Sequence, residues 1–191
     1  MKRHEYEART SFYIGGEEAE WVAKKLARKV ADPEHKMKDE EIFFIAGSNG
    51  GVLRGYNGQP VILWPKQDNH KSIVDVTKHT NNFLDLFNPF VTSQDWREPF
   101  AERTLTYRYN IAYGSEYSED IINRLVFEGV DKDNALTRLP IRLDLKPDGI
   151  ATQVLPNWIL SNAFLGEFVP TLNKDLATRL RNKKNKGKKK K

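Results

Sequence analysis

The sequence predicts a single α+β domain with a mostly antiparallel sheet and several helices, followed by a disordered basic C-terminal tail. Three observations favour this fold class. Two segments contain hairpin turn signals, amphipathic helical patterns separate the strand patterns, and no long linker divides the 191 residues. We therefore place a globular domain at residues 1–180 and a lysine-rich tail at residues 181–191.

Two predicted hairpins define the sheet. The first joins strands at 52–56 and 59–64 through Asn57-Gly58, a pair that suits a type I′ turn because both central residues need positive φ. The second joins strands at 139–146 and 150–155 through Pro147-Asp148-Gly149. Further strands are predicted at 42–46 and at 104–113, where apolar and polar residues alternate.

Apolar residues at helical spacing predict the helices. These cover residues 17–30, 72–87, 118–127, 157–168 and 171–180, with a short helix near 94–103. The basic face of the first helix is typical of a solvated surface.

A glycine-rich loop at 47–51 follows a predicted strand, as phosphate-binding loops do. A strand rather than a helix is predicted after it, and the Gly-Lys-Ser/Thr ending of a phosphate loop is missing. A simple turn is therefore the favoured interpretation. Arg54, close by, is a candidate for binding an anion.

The positive charge is concentrated at the C-terminus. Of the 31 Lys and Arg residues, nine lie within 179–191, which leaves 22 basic against 26 acidic residues over 1–178, a net charge of −4. Clustered lysines displace condensed counterions from nucleic acid without reading bases. The candidate nucleic-acid-binding residues are Arg179, Arg181, Lys183, Lys184, Lys186, Lys188, Lys189, Lys190 and Lys191.

Several classes of protein and site are disfavoured by what the sequence lacks. Without cysteine there are no disulfides, thiolate metal sites or cysteine nucleophiles. We predict no cofactor and no metal, because the four histidines have no metal-binding spacing. No secretory leader or membrane-length apolar run is visible, so a cytoplasmic location is expected. A membrane partner is disfavoured because no lipidation motif or interfacial aromatic helix adjoins the tail.

One short motif has the spacing used in metal-dependent nucleases. Asp144 and Lys146 fall on the same face of a predicted strand, where a carboxylate can hold a metal and a lysine can lie near the attacked phosphate. This spacing is common in a charged chain, so a solvated strand face is the favoured interpretation. The tyrosines at 107, 109 and 113 could form a base-stacking platform, but core packing is favoured for them.

The leading functional hypothesis is a non-enzymatic nucleic-acid-associated protein. Its tail would bind phosphates. The acidic body, residues 1–178, would contact a protein partner or a second copy of the chain. Two alternatives stay open. One is a structural or assembly subunit of a nucleic-acid-containing particle, and the other is a metal-dependent nuclease or phosphodiesterase that uses Asp144 and Lys146.

Overall fold

A computed structural model describes residues 9–32, 34, 37–45, 53–64, 80–89, 105–146, 151–154 and 163–188, with only the backbone described at 80–82, 151–154 and 163–167. The loop at 47–51, the helix near 94–103 and the turn at 147–149 lie outside these ranges. In chain order the elements are β1 (Thr10–Gly16), α1 (Ala19–Ala27), a 3₁₀ turn (Asp39–Glu41), β2 (Ile42–Phe44), β3 (Val61–Leu63), α2 (Thr80–Leu86), β4 (Tyr109–Gly114), α3 (Ser118–Phe127), α4 (Lys132–Arg138), β5 (Ile141–Leu145), β6 (Ala151–Val154) and α5 (Ala163–Lys188).

The described strands form one sheet in the order β2-β3-β4-β1-β5-β6. The first five are parallel to their neighbours, and β6 at the edge runs antiparallel to β5. The protein therefore has an α/β fold built on a parallel sheet. The predicted α+β class with a mostly antiparallel sheet is wrong.

The central strand β1, which the sequence pattern did not predict, explains this error. Residues 11–16 are all buried, because β4 and β5 pair with the strand on its two sides and helices cover both faces. A strand buried on both faces shows no alternation of apolar and polar residues. The two hairpins are predicted from turn signals, which do not report whether a strand pairs with a strand that is distant in the sequence.

The first predicted hairpin is also wrong. Leu53 and Tyr56 are both buried, and the Tyr56 N–H donates to the Leu53 carbonyl at 3.0 Å, so these residues form a turn rather than a strand. Gly58 has the positive φ expected of it, +83°. The chain nevertheless enters β3, which pairs in parallel with β2 and β4, rather than returning along its own preceding segment.

The strand pairing of the second predicted hairpin is confirmed. β5 and β6 are antiparallel, with Arg142 opposite Val154 and Leu145 opposite Ala151. The pairing is local in sequence, and one face of β5 is less buried than the other, so its alternation is visible in the sequence. This is the one antiparallel pair among the described strands.

Helices cover both faces of the sheet. α1 and α5 pack on one face, and α2, α3 and α4 pack on the other. The helices predicted at 17–30 and 118–127 are confirmed as α1 and α3. Only α2 is described from the predicted helix at 72–87, and α4 was not predicted. Asp131 caps the N-terminus of α4, because its side chain accepts hydrogen bonds from the Asp133 and Asn134 N–H groups.

The C-terminal helix α5 is a single helix of 26 residues that continues through Pro170 to Lys188. It merges the two helices predicted at 157–168 and 171–180, and it shows that the predicted disorder of the tail is wrong for residues 181–188. Residues 168–176 anchor α5 on the sheet, so the following residues extend an existing helix without a new nucleation step. Lysines near a helix C-terminus also interact favourably with the helix dipole.

A buried hydrogen-bond network joins the sheet to α2. The fully buried Asn110 accepts from the Trp64 indole N–H at 3.1 Å, and it donates to the Ser11 hydroxyl at 3.3 Å and to the Leu86 carbonyl at 2.9 Å. The Tyr107 hydroxyl donates to the same carbonyl at 2.7 Å. Burial raises the pKa of Tyr107, so its hydroxyl stays a donor at physiological pH. The network therefore satisfies a carbonyl that the end of α2 would leave unpaired.

Replacing Asn110 tests this network. We expect Asn110→Ala to lower the free energy of unfolding by about 1–3 kcal/mol, because the Trp64 indole N–H loses its acceptor in the protein interior. Urea denaturation measures the change. The matched control, Asn123→Ala on the exposed side of α3, should stay within about 0.5 kcal/mol of the unmodified protein. Equal stability of the two variants would contradict the prediction.

Candidate functional site

The carboxyl end of β1 is the position where an α/β sheet commonly binds a ligand, because the chain leaves β1 toward one face and β4 toward the other. Here that position is tightly packed. A Cβ atom at Gly15 would lie 2.2 Å from the Glu116 carbonyl oxygen, and one at Gly16 would lie 2.7 Å from the Leu145 carbonyl oxygen. The Tyr13 hydroxyl also donates to the Glu116 carbonyl at 2.7 Å. Among the described residues, backbone contacts therefore fill the space between the ends of β1 and β5 and the segment that follows β4.

The turn between β1 and α1 places two acidic residues at the N-terminus of α1. Glu17 is exposed, whereas Glu18 is only 7% exposed. A helix N-terminus attracts phosphate groups, but these carboxylates repel them. The turn therefore lacks the chemistry of a phosphate-binding loop.

Glu18 forms ion pairs with α5 instead. Its carboxylate accepts hydrogen bonds from the Arg179 guanidinium, at 2.7 Å, and from the Lys183 ammonium. Burial alone would raise the pKa of Glu18, but the hydrogen bonds from Lys183 and Arg179 outweigh it and lower the pKa. These contacts join the start of α1 to the basic half of α5.

Asp144 and Lys146, the nuclease-like pair, both contact the start of α3. The two carboxylate oxygens of Asp144 accept hydrogen bonds from the backbone N–H and the hydroxyl of Ser118, each at 2.7 Å. The Lys146 ammonium lies 4.8 Å from the centre of the Tyr117 ring. Asp144 therefore caps α3 and is not a simple solvated residue, which corrects our favoured interpretation of this strand face.

The other candidates from the sequence fall partly outside the described residues. Arg54 lies on an exposed turn between β2 and β3, and the loop at 47–51 falls outside the described residues. Tyr107 and Tyr113 are buried, so the prediction that they belong to the core is confirmed. All four histidines lie outside the described ranges. Within those ranges, no three acidic or histidine side chains form a group that could hold a metal ion.

An open groove of about 540 Å³ lies between α1 and α5. Four cationic side chains and one acidic side chain line it together with Trp21. The Lys25 ammonium and the Arg179 guanidinium lie 4.9 Å and 5.0 Å from the centre of the Trp21 ring. The lining residues are Trp21, Lys25, Asp175, Thr178, Arg179, Asn182, Lys183 and Lys186.

The basic residues of α5 fall on two faces of the helix. Arg179, Lys183 and Lys186 face the groove. At 3.6 residues per turn, Arg181, Lys184 and Lys188 fall on the opposite face. Residues 181–188 are all exposed. Because α5 continues to Lys188, six of the nine predicted nucleic-acid-binding residues, Arg179 included, lie on this helix. Lys189, Lys190 and Lys191 lie outside the described residues.

Sequence reasoning missed the contribution of α1 to this groove. Trp21 and Lys25 are one helical turn apart and so lie on the same side of α1, but a tryptophan beside a lysine also occurs on solvated helices. The contact with α5 joins residues about 160 positions apart, as the Glu18–Arg179 pair shows. No local pattern predicts such a contact.

Comparison with protein-family models and with curated protein sequences gives no match. Function must therefore be argued from the chemistry of the site.

Removing the charge of Glu18 tests the junction between α1 and α5. We expect Glu18→Gln to lower the free energy of unfolding by about 1–2 kcal/mol near neutral pH, because charge-assisted hydrogen bonds become neutral ones. Since folding lowers the pKa of Glu18, this stabilisation is complete above the unfolded-state pKa and is lost as the pH falls through the folded-state pKa. Urea titrations should therefore give a difference that shrinks below about pH 4.

The exposed neighbour provides the control for that experiment. Glu17→Gln removes the same charge without breaking an ion pair given by the structure, so it should change stability little at any pH. A Glu18→Gln effect that does not depend on pH would contradict the role of the ionised carboxylate.

Substitution of Asp144 and Lys146 separates a structural from a catalytic role. Asp144→Ala should cost about 0.5–2 kcal/mol, the usual effect of losing a helix cap. Lys146→Ala should cost less than about 1 kcal/mol, since its ring contact is exposed. Neither variant should change nucleic-acid binding. Loss of a Mg²⁺- or Mn²⁺-dependent cleavage activity in both variants, with unchanged circular dichroism, would instead support the nuclease hypothesis.

Proposed function

We propose that this protein is a non-enzymatic nucleic-acid-associated protein that binds phosphates through the basic segment of residues 179–191. The observation that carries the proposal is the separation of charge. Residues 1–178 have a net charge of −4, whereas the basic segment has nine cations and no acidic residue. We therefore expect the basic segment, and not the rest of the chain, to attract polyanions.

The helical form of residues 179–188 supports the proposal. Six cations occupy this stretch, which at 1.5 Å per residue is about 14 Å long. The linear charge density is therefore about one charge per 2–3 Å, or about one per 3–4 Å without Arg179 and Lys183, which pair with Glu18. Duplex DNA carries roughly one charge per 1.7 Å. Such a density favours release of condensed counterions, the main source of sequence-independent affinity.

The kind of cation supports binding without base recognition. Seven of the nine basic residues are lysines, whose ammonium groups act as point charges. The planar arginine fork that reads guanine occurs only at Arg179 and Arg181, and Arg179 is paired with Glu18. The segment is therefore suited to DNA and RNA backbones alike.

The acidic body is suited to protein contacts, with a partner or with a second copy of the chain. Phe127, at the end of α3, is 90% exposed, and the adjoining Val126 is 39% exposed. This apolar position also favours the second candidate function, a structural subunit of a nucleic-acid-containing particle. None of the helices in the described ranges combines the length and apolarity needed to cross a bilayer, and we infer a cytoplasmic setting.

A salt titration of binding tests the proposal. Full-length protein is compared with a Lys184→Gln, Lys186→Gln, Lys188→Gln triple variant, which leaves the Glu18 ion pairs intact. The plot of log K against log salt should become shallower by up to about 0.9 for each lysine that contacts a duplex phosphate. Two duplexes of unrelated sequence should lose affinity equally, because lysines here contact only the backbone.

The control variant removes the same charge from elsewhere. Lys38, Lys132 and Lys146 are exposed and lie outside α5, and their replacement by Gln should leave the salt slope nearly unchanged. Equal slopes for the two triple variants would place the binding surface outside the basic segment. Absence of binding by the unmodified protein would overturn the proposal altogether.

A further inference from the structure

We propose that the groove between α1 and α5 binds a single strand of nucleic acid, with a base on Trp21 and the adjoining phosphate on Lys186. This inference rests on the proposed function and adds its substrate class. The two faces of α5 then have different roles. The groove face selects single strands, whereas the opposite face attracts any nucleic acid.

The groove joins the two kinds of group that single-strand sites use. Proteins that bind single strands without sequence preference combine a positively charged groove with aromatic side chains on which bases stack. Here Trp21 is the aromatic group, and Lys25, Arg179, Lys183 and Lys186 are the cations. Thr178 and Asn182 add neutral hydrogen-bonding groups between them, suited to sugar and base edges.

Trp21 is held in place within the groove. It is partly buried and packs against the core beneath α1, and the Lys25 ammonium and the Arg179 guanidinium lie over its ring. A base that stacks on Trp21 therefore takes the place of one of these cations over the ring. Lys25 is fixed in turn by Asp175, at 2.5 Å, and Arg179 by Glu18. An aromatic ring that is already ordered loses little conformational entropy when a ligand binds.

Lys186 is the cation of the groove that is most available to a phosphate. Lys25, Arg179 and Lys183 each form an ion pair with Asp175 or Glu18, whereas no ion pair of Lys186 is found among the described residues. Lys186 also lies one helical turn beyond Lys183, toward the exposed end of α5. A phosphate there gains an ion pair without displacing a carboxylate.

The shape of the groove favours a single strand over a duplex. In a duplex the bases are stacked on one another and cannot present a face to Trp21, whereas an unpaired strand can turn a base out of its stack. A duplex can reach Arg181, Lys184 and Lys188 on the opposite, exposed face of α5. Trp21 should therefore contribute to one kind of binding only.

The experiment compares two probes on the full-length protein. They are a labelled oligothymidylate of about 12 nucleotides and a mixed-sequence duplex of about the same length. We expect Trp21→Leu to weaken oligothymidylate binding by roughly 5-fold or more, as loss of a base–aromatic stack does. Duplex binding should change by less than about 2-fold. Trp21→Phe should restore part of the single-strand affinity, because its ring also stacks.

The control is the double variant Lys184→Gln, Lys188→Gln. It should weaken the binding of both probes, because these lysines lie outside the groove on the face that attracts any nucleic acid. Thermal unfolding of each variant confirms that it is folded. Trp21→Phe is the decisive variant if Trp21→Leu is unstable, and it should then retain duplex affinity while losing part of the single-strand affinity.

The possible failures are distinguishable. If the unmodified protein binds neither probe, the proposed function itself fails. If it binds both and the Trp21 variants lower both equally or neither, the groove proposal is wrong and the proposed function stands. A competition experiment uses polyglutamate with the same number of charges as the oligothymidylate. If polyglutamate displaces oligothymidylate from the unmodified protein but not from the Trp21 variants, the groove is a site for acidic peptides and the proposal is overturned.

Discussion

The contact between neighbouring backbones at the carboxyl end of β1 is the constraint on which the rest of the structure depends. Gly15 and Gly16 allow β1 to lie between β4 and β5 with no side chain separating the three strand ends. The segment after β4 can therefore lie against β1, where Glu116 accepts from Tyr13. The same closeness lets Asp144, at the end of β5, cap α3. A sheet end that serves other α/β proteins as a ligand crevice is here a structural junction.

The candidate binding surface lies between the helices α1 and α5 rather than at the end of the sheet. Glu18 lies between the glycines at the end of β1 and the start of α1, and there it pairs with Arg179 and Lys183 of the basic segment. Such partly buried pairs add modest net stability, since desolvation offsets much of their attraction. Their larger effect is positional, because they hold Arg179 beside Trp21.

One-sided burial and local contacts make an element easiest to predict, although the strand predicted at 104–113 also contains β4, which is buried on both faces. α3 is predicted within its exact bounds because Ile121, Ile122 and Leu125 are buried while its other face is exposed. β1 is hidden because burial on both faces removes the alternation, and parallel pairing leaves no turn signal between partners. The basic residues of the site are visible as composition, but Trp21 joins them only through a tertiary contact across most of the chain.

The continuity of α5 through Lys188 has a mechanical consequence. Cations on a flexible segment are attracted to a polyanion from any direction, and their ordering opposes association. On a helix anchored to the sheet by Leu172 and Leu176, the same cations keep a fixed spacing and a fixed bearing relative to the acidic body. Under the proposed function, alignment of a polyanion with α5 would fix the angle between the polyanion and the acidic body, because the helix connects the two without a break. Charge alone does not choose between the two directions along the polyanion.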